Sequence, residues 1–294
     1  MKKTNTHDNG VYSGRRTSKF MSFLQFPLIW MFVGALGIAL INLAYLLISK
    51  DSNALVSIVI AIVGCGVAII FYWLVMKFLA RRQVTELLHQ RPVSEIMFGG
   101  VVAFIFIVIS AVIVVLFDGY SFTWEAGNVS SIVLPIITAS LGAAVIEELI
   151  FRGLFFQAIE KMAGSWIALA LTSIFFGIVH LGNPGATIWG AFSISVEAGV
   201  LLGAAFLWRR NIWFVIGLHF FWNTIQGLLG IPVSGHPSTG LFTLEVAGPA
   251  LLTGGEFGLE ASIVTVIMGL LIAIPMLILA RRKGNFVSRR QDPK

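Results

Sequence analysis

Long apolar runs, separated by short polar or basic loops, fill this sequence from about residue 22 to residue 281. About 20 consecutive apolar residues are enough for a helix to cross a lipid bilayer. The pattern therefore predicts an all-α, polytopic membrane protein with about eight transmembrane helices. The predicted spans are residues 22–48, 53–79, 96–117, 131–159, 166–182, 186–208, 212–231 and 260–281.

The positions of these runs divide the chain into five parts. The first run is longer than the apolar part of a signal peptide, so we interpret it as a retained span. The predicted parts are a cytoplasmic tail at 1–21, three spans with their loops at 22–129, a core of four helices at 130–231, an outer loop and the last span at 232–281, and a basic cytoplasmic tail at 282–294.

With 57% hydrophobic and 12% charged residues, the chain is too apolar for a soluble domain of its size. Every Lys and Arg except Lys50 and the intramembrane Arg152 falls in or near a loop on one side of the predicted topology. This asymmetry predicts both termini in the cytoplasm of a cell-membrane protein, which we expect to be bacterial. It also explains the net charge of +6 by contact with anionic lipid, so no nucleic-acid partner is expected.

Cys65 is the single cysteine, which excludes an intrachain disulfide and a cysteine-based metal site.

The fourth predicted helix carries Glu147, Glu148 and Arg152 within an apolar stretch. Each charge near the bilayer midplane costs roughly 2.5–3.5 kcal/mol, so these side chains need partners or a function. Glu148 and Arg152 are four residues apart and can form an ion pair on one helix face. Glu147 points elsewhere, and such a poorly solvated carboxylate is suited to act as a base near neutral pH. A purely structural salt-bridge cluster is the alternative.

Two further helices carry polar side chains at a similar depth, Phe176 with His180 and His219 with Asn223, each pair spaced i, i+4 on one face. From the cytoplasmic helix ends, a rise of ~1.5 Å per residue places Glu147, His180 and Asn223 roughly 17–20 Å deep and His219 roughly 10 Å deep. Each histidine alone would more often be a core residue. Together the four side chains predict one active site buried within the bundle.

These groups favour hydrolysis. A glutamate assisted by a histidine can deprotonate a bound water, while a second imidazole and an amide can stabilise the oxyanion that forms at a carbonyl. Glu147, His180 and His219 could instead bind Zn²⁺ or another divalent metal. The sequence lacks the HExxH motif, and we favour a metal-free reaction without a cofactor.

In this order, the motifs EExxxR (Glu147, Glu148, Arg152), FxxxH (Phe176, His180) and HxxxN (His219, Asn223) resemble those of the CPBP intramembrane endopeptidases. This family includes the eukaryotic type II CAAX prenyl endopeptidase and bacterial Abi-type members, and the resemblance covers roughly residues 130–230. It implies an eight-helix fold that hydrolyses peptide bonds at a cavity open to the cytosol. Glu147 would activate water with His180, His219 and Asn223 would stabilise the oxyanion, and Glu148 and Arg152 would support the site. The implied partners are the bilayer and a protein or peptide substrate, either prenylated or otherwise membrane-anchored.

Glu197 in the sixth predicted span lies at a similar depth and could line the cavity with Phe176 or form a structural hydrogen bond. The outer loop up to Glu260 is interpreted as a structural lid or linker.

Two other functions stay open: a membrane transporter, which also uses buried charges, and a non-catalytic membrane protein of the bacteriocin-immunity type. The repeated halves typical of many transporters are not visible in the sequence.

Overall fold

The computed structural model describes residues 25–88, 90–125 and 127–288. The predicted tail at 1–21, the first residues of the predicted span 22–48 and the end of the tail at 282–294 lie outside the described residues. Within the described part the protein is an all-α, multi-pass membrane protein with one small two-stranded sheet.

Eleven α-helices and two β-strands are defined among the described residues, and several helices continue as π-helical or 3₁₀ turns. In chain order they are α1 (Pro27–Ser49), α2 (Ala54–Leu74, continued by the π-helical Val75–Leu79), α3 (Pro92–Leu116), β1 (Tyr120–Trp124), α4 (Val129–Glu148, continued by the π-helical Leu149–Phe155), α5 (Phe156–Ala163), α6 (Ser165–Val179, continued by the 3₁₀ turn His180–Gly182), α7 (Ile188–Ile194, continued by the π-helical Ser195–Val200), α8 (Leu201–Arg209), α9 (Ile212–Leu228), β2 (Phe242–Val246), α10 (Ala250–Thr253) and α11 (Ile263–Arg282).

Seven helical segments of the described chain are long and apolar enough to cross a membrane. They are Pro27–Ser49, Ala54–Leu79, Pro92–Leu116, Val129–Ala163, Ser165–Gly182, Ile188–Arg209 and Ile263–Arg282. The predicted span at 212–231 corresponds to α9, which has 17 residues. Most of α9 is buried between its neighbours, so this helix is the centre of the bundle and not part of its lipid-facing surface.

Local sequence signals set several helix starts. Pro27 and Pro92 stand at the first turn of α1 and α3, where a missing N–H costs nothing. The side chains of Asn53 and Asn211 accept hydrogen bonds from backbone N–H groups of α2 and α9, and Ser262 does the same for α11. These caps satisfy donors that would otherwise have no partner at a helix start.

The central packing contact joins α3 to α9. A Cβ atom added at Gly217 would overlap the Ile96 carbonyl oxygen, and one added at Gly99 would overlap the Phe214 carbonyl oxygen. The two backbones therefore touch directly, which only small residues allow within a membrane bundle. This contact fixes α9, the helix that carries His219 and Asn223.

One end of the bundle, which we name the loop-rich end, consists of the loops 50–53, 117–125, 127–128, 183–187 and 229–262 together with the first turns of α4, residues 129–135. Strands β1 and β2 pair antiparallel there, with Tyr120 opposite Val246. The Asn183 side chain donates to the Ser234 carbonyl at 2.9 Å, and the Tyr120 hydroxyl donates to the Thr253 carbonyl. The predicted outer linker is thus an ordered cover that contains a strand, a feature that the sequence analysis did not anticipate.

The opposite end, which we name the basic end, consists of segments 77–88, 90–91, 160–165, 207–213 and 281–287. The Ile212 N–H donates to the Glu86 carbonyl at 3.1 Å, and the Ser165 N–H donates to the Val287 carbonyl at 2.9 Å. Arg210 and Glu160 form an ion pair at 2.6 Å. These bonds tie four separate segments of the chain into one face.

Candidate active site

Glu148 and Arg152 form a buried ion pair at the junction of α4 and its π-helical continuation. Arg152 Nη1 donates to Glu148 Oε1 at 2.9 Å, as their spacing predicted, and the two side chains are 2% and 0% exposed. Arg152 Nη2 donates to the carbonyls of Ala198 and Gly199 at 3.0 and 3.2 Å. Arg152 therefore attaches α4 to the π-helical turn that follows α7. Interruptions of this kind inside helices are common at functional sites.

His219 shares the same carboxylate. Its Nδ1 lies 2.8 Å from Glu148 Oε1, and because a carboxylate accepts, Nδ1 carries the hydrogen. This bond fixes the orientation of the imidazole and directs Nε2 away from Glu148. Local spacing predicted only the ion pair of Glu148 with Arg152. The bond from His219 could not be predicted in this way, because the two residues are 71 positions apart in the chain.

The tautomer of His180 follows from its surroundings. His180 Nδ1 lies 2.6 Å from the Phe176 carbonyl oxygen, which can only accept, so Nδ1 is the protonated nitrogen. In a neutral ring Nε2 is then free to accept a proton. His180 stands where α6 ends in a 3₁₀ turn, so its ring is held by its own helix.

Phe176 lies at the centre of the aromatic and charged groups. Its ring centroid is 4.6 Å from that of His180 and 6.4 Å from that of His219. The Arg152 guanidinium carbon lies 4.9 Å from the same ring, a cation–π distance. The F and H of the FxxxH pattern thus act as neighbours in space as well as on one helix face.

A cavity of about 870 Å³ brings the predicted residues together. Its wall includes Glu147, His180, His219 and Asn223 from α4, α6 and α9, and Phe176 also lines it. His180, His219 and Asn223 are each buried from the outside, while Glu147 is half-buried. Glu148 and Arg152 lie behind the wall and touch the cavity only through His219 and Phe176.

Glu147 occupies a distinctive position on this wall. Its Oε2 atom is buried and has no hydrogen-bond partner among the described residues. Buried polar atoms are almost always hydrogen-bonded to protein or to ordered water. A second cavity of about 740 Å³, between α4 and the helices α1 and α2, also reaches Glu147. The carboxylate therefore stands between two spaces that can hold solvent or peptide.

The middle of the chain also matches a known family. Residues 128–225 match the family model described as type II CAAX prenyl endopeptidase Rce1-like. The matched residues run from the start of α4 into α9. This agrees with the CPBP resemblance of the three motifs, all of which lie within the matched residues.

A Bacillus subtilis (strain 168) protein named "Putative membrane peptidase YdiL" is 30% identical to this chain over 131 residues. The match covers 44% of this chain, and the chain spans about half the length of that relative. No solved structure matches the chain.

Glu197 does not line the cavity, contrary to one of the two expectations for it. It is completely buried in the π-helical turn after α7, where its backbone packs against Gly269 of α11. Arg152 binds the next two carbonyls on the other side of this turn. The Thr265 side chain of α11 lies next to the Glu197 carboxylate, which agrees with the alternative of a structural contact with a neighbouring helix.

The matched region contacts Glu260, an acidic residue of the outer loop that was expected to be a structural lid or linker. Glu260 lines the cavity, is 3% exposed, and accepts hydrogen bonds from Trp222 Nε1 at 2.8 Å and Gln226 Nε2 at 3.0 Å. Its second oxygen accepts from the backbone N–H and hydroxyl of Ser234, both at 2.8 Å. Glu260 therefore fixes the loop-rich end to α9, the helix that carries His219 and Asn223.

The metal alternative requires Glu147, His180 and His219 to converge on one point. Among the described residues, no group of three or more His, Cys, Asp or Glu side chains has an arrangement that could hold a metal ion. The alternative donor set for Zn²⁺, Glu147 with His180 and His219, therefore does not fit this arrangement.

Proposed function

We propose that the protein is an intramembrane endopeptidase that hydrolyses a peptide bond with a water activated by Glu147 and His180. The observation that carries the proposal is that Glu147, His180, His219 and Asn223 line one cavity, within the residues that match the Rce1-like family model. The family match and the similarity to a protein named as a membrane peptidase support the same reaction class.

The first step in this proposal is the attack of water on the peptide carbonyl. Glu147, whose buried Oε2 has no hydrogen-bond partner among the described residues, takes the proton from water while the oxygen bonds to the carbonyl carbon. His180 Nε2 accepts a hydrogen bond from the same water, because Nδ1 is already used by the Phe176 carbonyl. The carbonyl π electrons move to its oxygen, which becomes the oxyanion.

The second step is the breakdown of this tetrahedral intermediate. His219, held by Glu148, and the Asn223 amide donate hydrogen bonds to the oxyanion from α9. Because Nδ1–H is donated to Glu148, His219 donates from Nε2 when both ring nitrogens carry a hydrogen. The oxyanion then re-forms the carbonyl double bond, the carbon–nitrogen bond breaks, and the proton held by Glu147 passes to the departing amine, which leaves a new carboxyl group on the other product.

The proposed substrate is a membrane-associated protein or peptide, in line with the name of the matched family. Most of the cavity wall is apolar, which suits a hydrophobic peptide segment or an attached lipid. Prenylation of the substrate and a C-terminal CaaX sequence belong to the type II enzymes whose family is matched and remain a hypothesis for this chain. The proposed location is a bacterial cell membrane, with both termini in the cytoplasm.

The test uses the full chain in detergent, with quenched fluorescent peptides that carry a prenylated CaaX sequence, the same sequence without the lipid, and an unrelated apolar sequence. Cleavage of any peptide should fall by roughly 10²–10⁴-fold in Glu147→Gln, the range for losing a general base. Gln83→Ala, an exposed substitution at the basic end, is the control and should cleave normally. Equal cleavage by Glu147→Gln and wild type would overturn the proposal. Folded wild-type protein that cleaves none of the peptides would favour the non-catalytic alternative.

A further inference from the structure

The main cavity opens at the loop-rich end of the bundle. The exposed residues of its wall include Ser131 and Pro135 in the first turns of α4, and His236, Pro237 and Thr239 in the loop before β2. All of these lie at the loop-rich end defined above. Among the described residues, no side chain of the basic end belongs to the wall.

The second cavity opens in the same direction. Besides Glu147 and His236, its wall includes Ser49 and Ser52, which lie at the end of α1 and in the loop that joins it to α2. Ala139, exposed on α4, lines both cavities. Both spaces that reach the Glu147 carboxylate therefore lead to the same end of the bundle.

The charges of the described chain identify which side of the membrane this is. The basic end carries all of the described Lys and Arg residues except Lys50 and Arg152: Lys77, Arg81, Arg82, Arg91, Lys161, Arg209, Arg210, Arg281, Arg282 and Lys283. The loop-rich end carries Lys50 as its one described base. Lys- and Arg-rich loops stay in the cytoplasm, so the basic end faces inward.

We propose that the active-site cavity receives an uncharged or cationic peptide segment from the outer, non-cytoplasmic face of the membrane. This deepens the proposed function and rests on it. It differs from the resemblance-based expectation of a cavity open to the cytosol, because here the loops around the mouth lie opposite the basic end. A lipid-modified tail in the cytosol would have to cross the bundle to reach Glu147.

The charge of the peptide is inferred from the mouth and the wall. The wall contains Glu147 and Glu260 and, within the described chain, no Lys or Arg that could bind a free carboxylate. The loop-rich end around it exposes five acidic residues, Asp51, Asp118, Glu125, Glu245 and Glu256. A surface of one sign raises the local concentration of ligands of the opposite sign, so cationic segments are attracted and anionic ones repelled.

Cysteine labelling tests the face. Three single variants are made in a Cys65→Ala background. Thr239→Cys and Glu245→Cys each place one thiol at the loop-rich end, and Arg282→Cys places one at the basic end. In spheroplasts of a bacterial expression host, a membrane-impermeant maleimide should label the first two and reach Arg282→Cys only after detergent is added. Labelling of Arg282→Cys alone, or of all three without detergent, would overturn the proposal.

Access to the cavity itself is tested with Ala139→Cys in the same background. The impermeant reagent should reach this thiol from outside through the cavity, whereas Val101→Cys on the lipid-facing surface of α3 should stay unlabelled. Failure to label folded Ala139→Cys from outside would overturn outer-face entry.

Binding tests the charge preference without requiring turnover. Fluorescent peptides with one apolar centre and either three Lys or three Glu flanking residues are titrated against the detergent-solubilised Glu147→Gln variant. The Lys peptide should bind about tenfold more tightly at low salt, and the difference should shrink as salt is added. Equal binding, tighter binding of the Glu peptide, or binding of neither would overturn the substrate class. Outer-face labelling combined with no peptidase activity in detergent would instead refute the proposed function alone.

Discussion

His219 Nδ1 lies 2.8 Å from Glu148 Oε1, the same oxygen that accepts a hydrogen bond from Arg152 at 2.9 Å. One carboxylate thus joins α4, its π-helical continuation and α9. Burying two charged groups is unfavourable unless they are paired and hydrogen-bonded. The relationship therefore links the stability of the bundle directly to the orientation of a proposed oxyanion-binding imidazole.

Glu148→Ala should destabilise the protein by about 3–5 kcal/mol, because it leaves the buried Arg152 guanidinium without its counter-charge. It should also impair cleavage, since His219 loses the bond that orients it. The measurement is unfolding in detergent followed by circular dichroism, together with the cleavage assay. Glu147→Ala is the control: it removes a half-buried carboxylate whose Oε2 has no hydrogen-bond partner among the described residues, and it should abolish cleavage with a much smaller loss of stability. Similar unfolding curves for the two variants would contradict this division of roles.

His180→Ala should lower kcat by roughly 10²–10⁴-fold, because the free Nε2 that assists water activation is lost. Its Nδ1–H bond to the Phe176 carbonyl lies within one helix, so the fold should be retained. The matched control is His236→Ala, which removes an exposed histidine from the cavity mouth and should reduce kcat far less. Equal effects of the two substitutions on kcat would indicate that His180 has no special part in the reaction.

The sequence was sufficient for the helices because apolar run length determines whether a segment crosses a membrane. Most predicted spans begin and end within a few residues of the observed helices. Helical spacing predicted part of the site, because it places Glu148 with Arg152 and His219 with Asn223 on one helix face without any tertiary information. The roles of Glu147, His180, His219 and Asn223 stay predictions until the variants are assayed.

Other features depend on contacts that spacing cannot reveal. The estimated depth along the helix drew attention to Glu197. Helical spacing did not predict the direction in which the Glu197 side chain points. The π-helical turn at Ser195–Val200 changes the angular position of each residue, and Glu197 packs toward α11. Glu260 was missed because its partners Trp222 and Ser234 lie 38 and 26 residues away in the chain.

Gly217→Ala should destabilise the bundle by about 1–3 kcal/mol, the usual cost of overpacking. The added methyl group would overlap the Ile96 backbone and push α9 away from α3, which also displaces His219 two residues later. The control is Gly66→Ala in α2, where an added Cβ meets open space and should be neutral or stabilising by about 0.5–1 kcal/mol. Unfolding in detergent and the cleavage rate check both effects. A Gly217→Ala protein as stable and active as Gly66→Ala would show that the contact is not needed.

Acidification should weaken the basic end through Glu86. Burial alone would raise the pKa of Glu86, but the two hydrogen bonds and the positive charge of Arg82, with a hydrogen bond from Tyr72, hold this pKa below its ordinary value. A group whose pKa is lower in the folded state stabilises the fold at pH values above its unfolded pKa of about 4.3. This contribution is lost as the pH falls through the folded pKa.

Glu86→Gln should therefore be less stable than wild type at neutral pH and should lack this part of the acid-induced loss. Thermal unfolding in detergent between neutral and strongly acidic pH provides the comparison. Glu256→Gln, an exposed substitution at the opposite end, serves as the control and should follow the wild-type curve. If Glu86→Gln lost as much stability on acidification as wild type, the Arg82–Glu86 pair would not be responsible.

Chelation should leave cleavage unchanged, because the proposed reaction activates water with Glu147 and His180 and uses no metal. Among the described residues, Glu147, His180 and His219 do not form a group that could hold a metal ion. The purified protein is dialysed against EDTA, treated with 1,10-phenanthroline, and assayed before and after addition of Zn²⁺, with bound metal measured in parallel. Cleavage that disappears on chelation and returns with Zn²⁺ would require these three side chains to converge when substrate is bound. Their function would then be to bind the metal that activates the water.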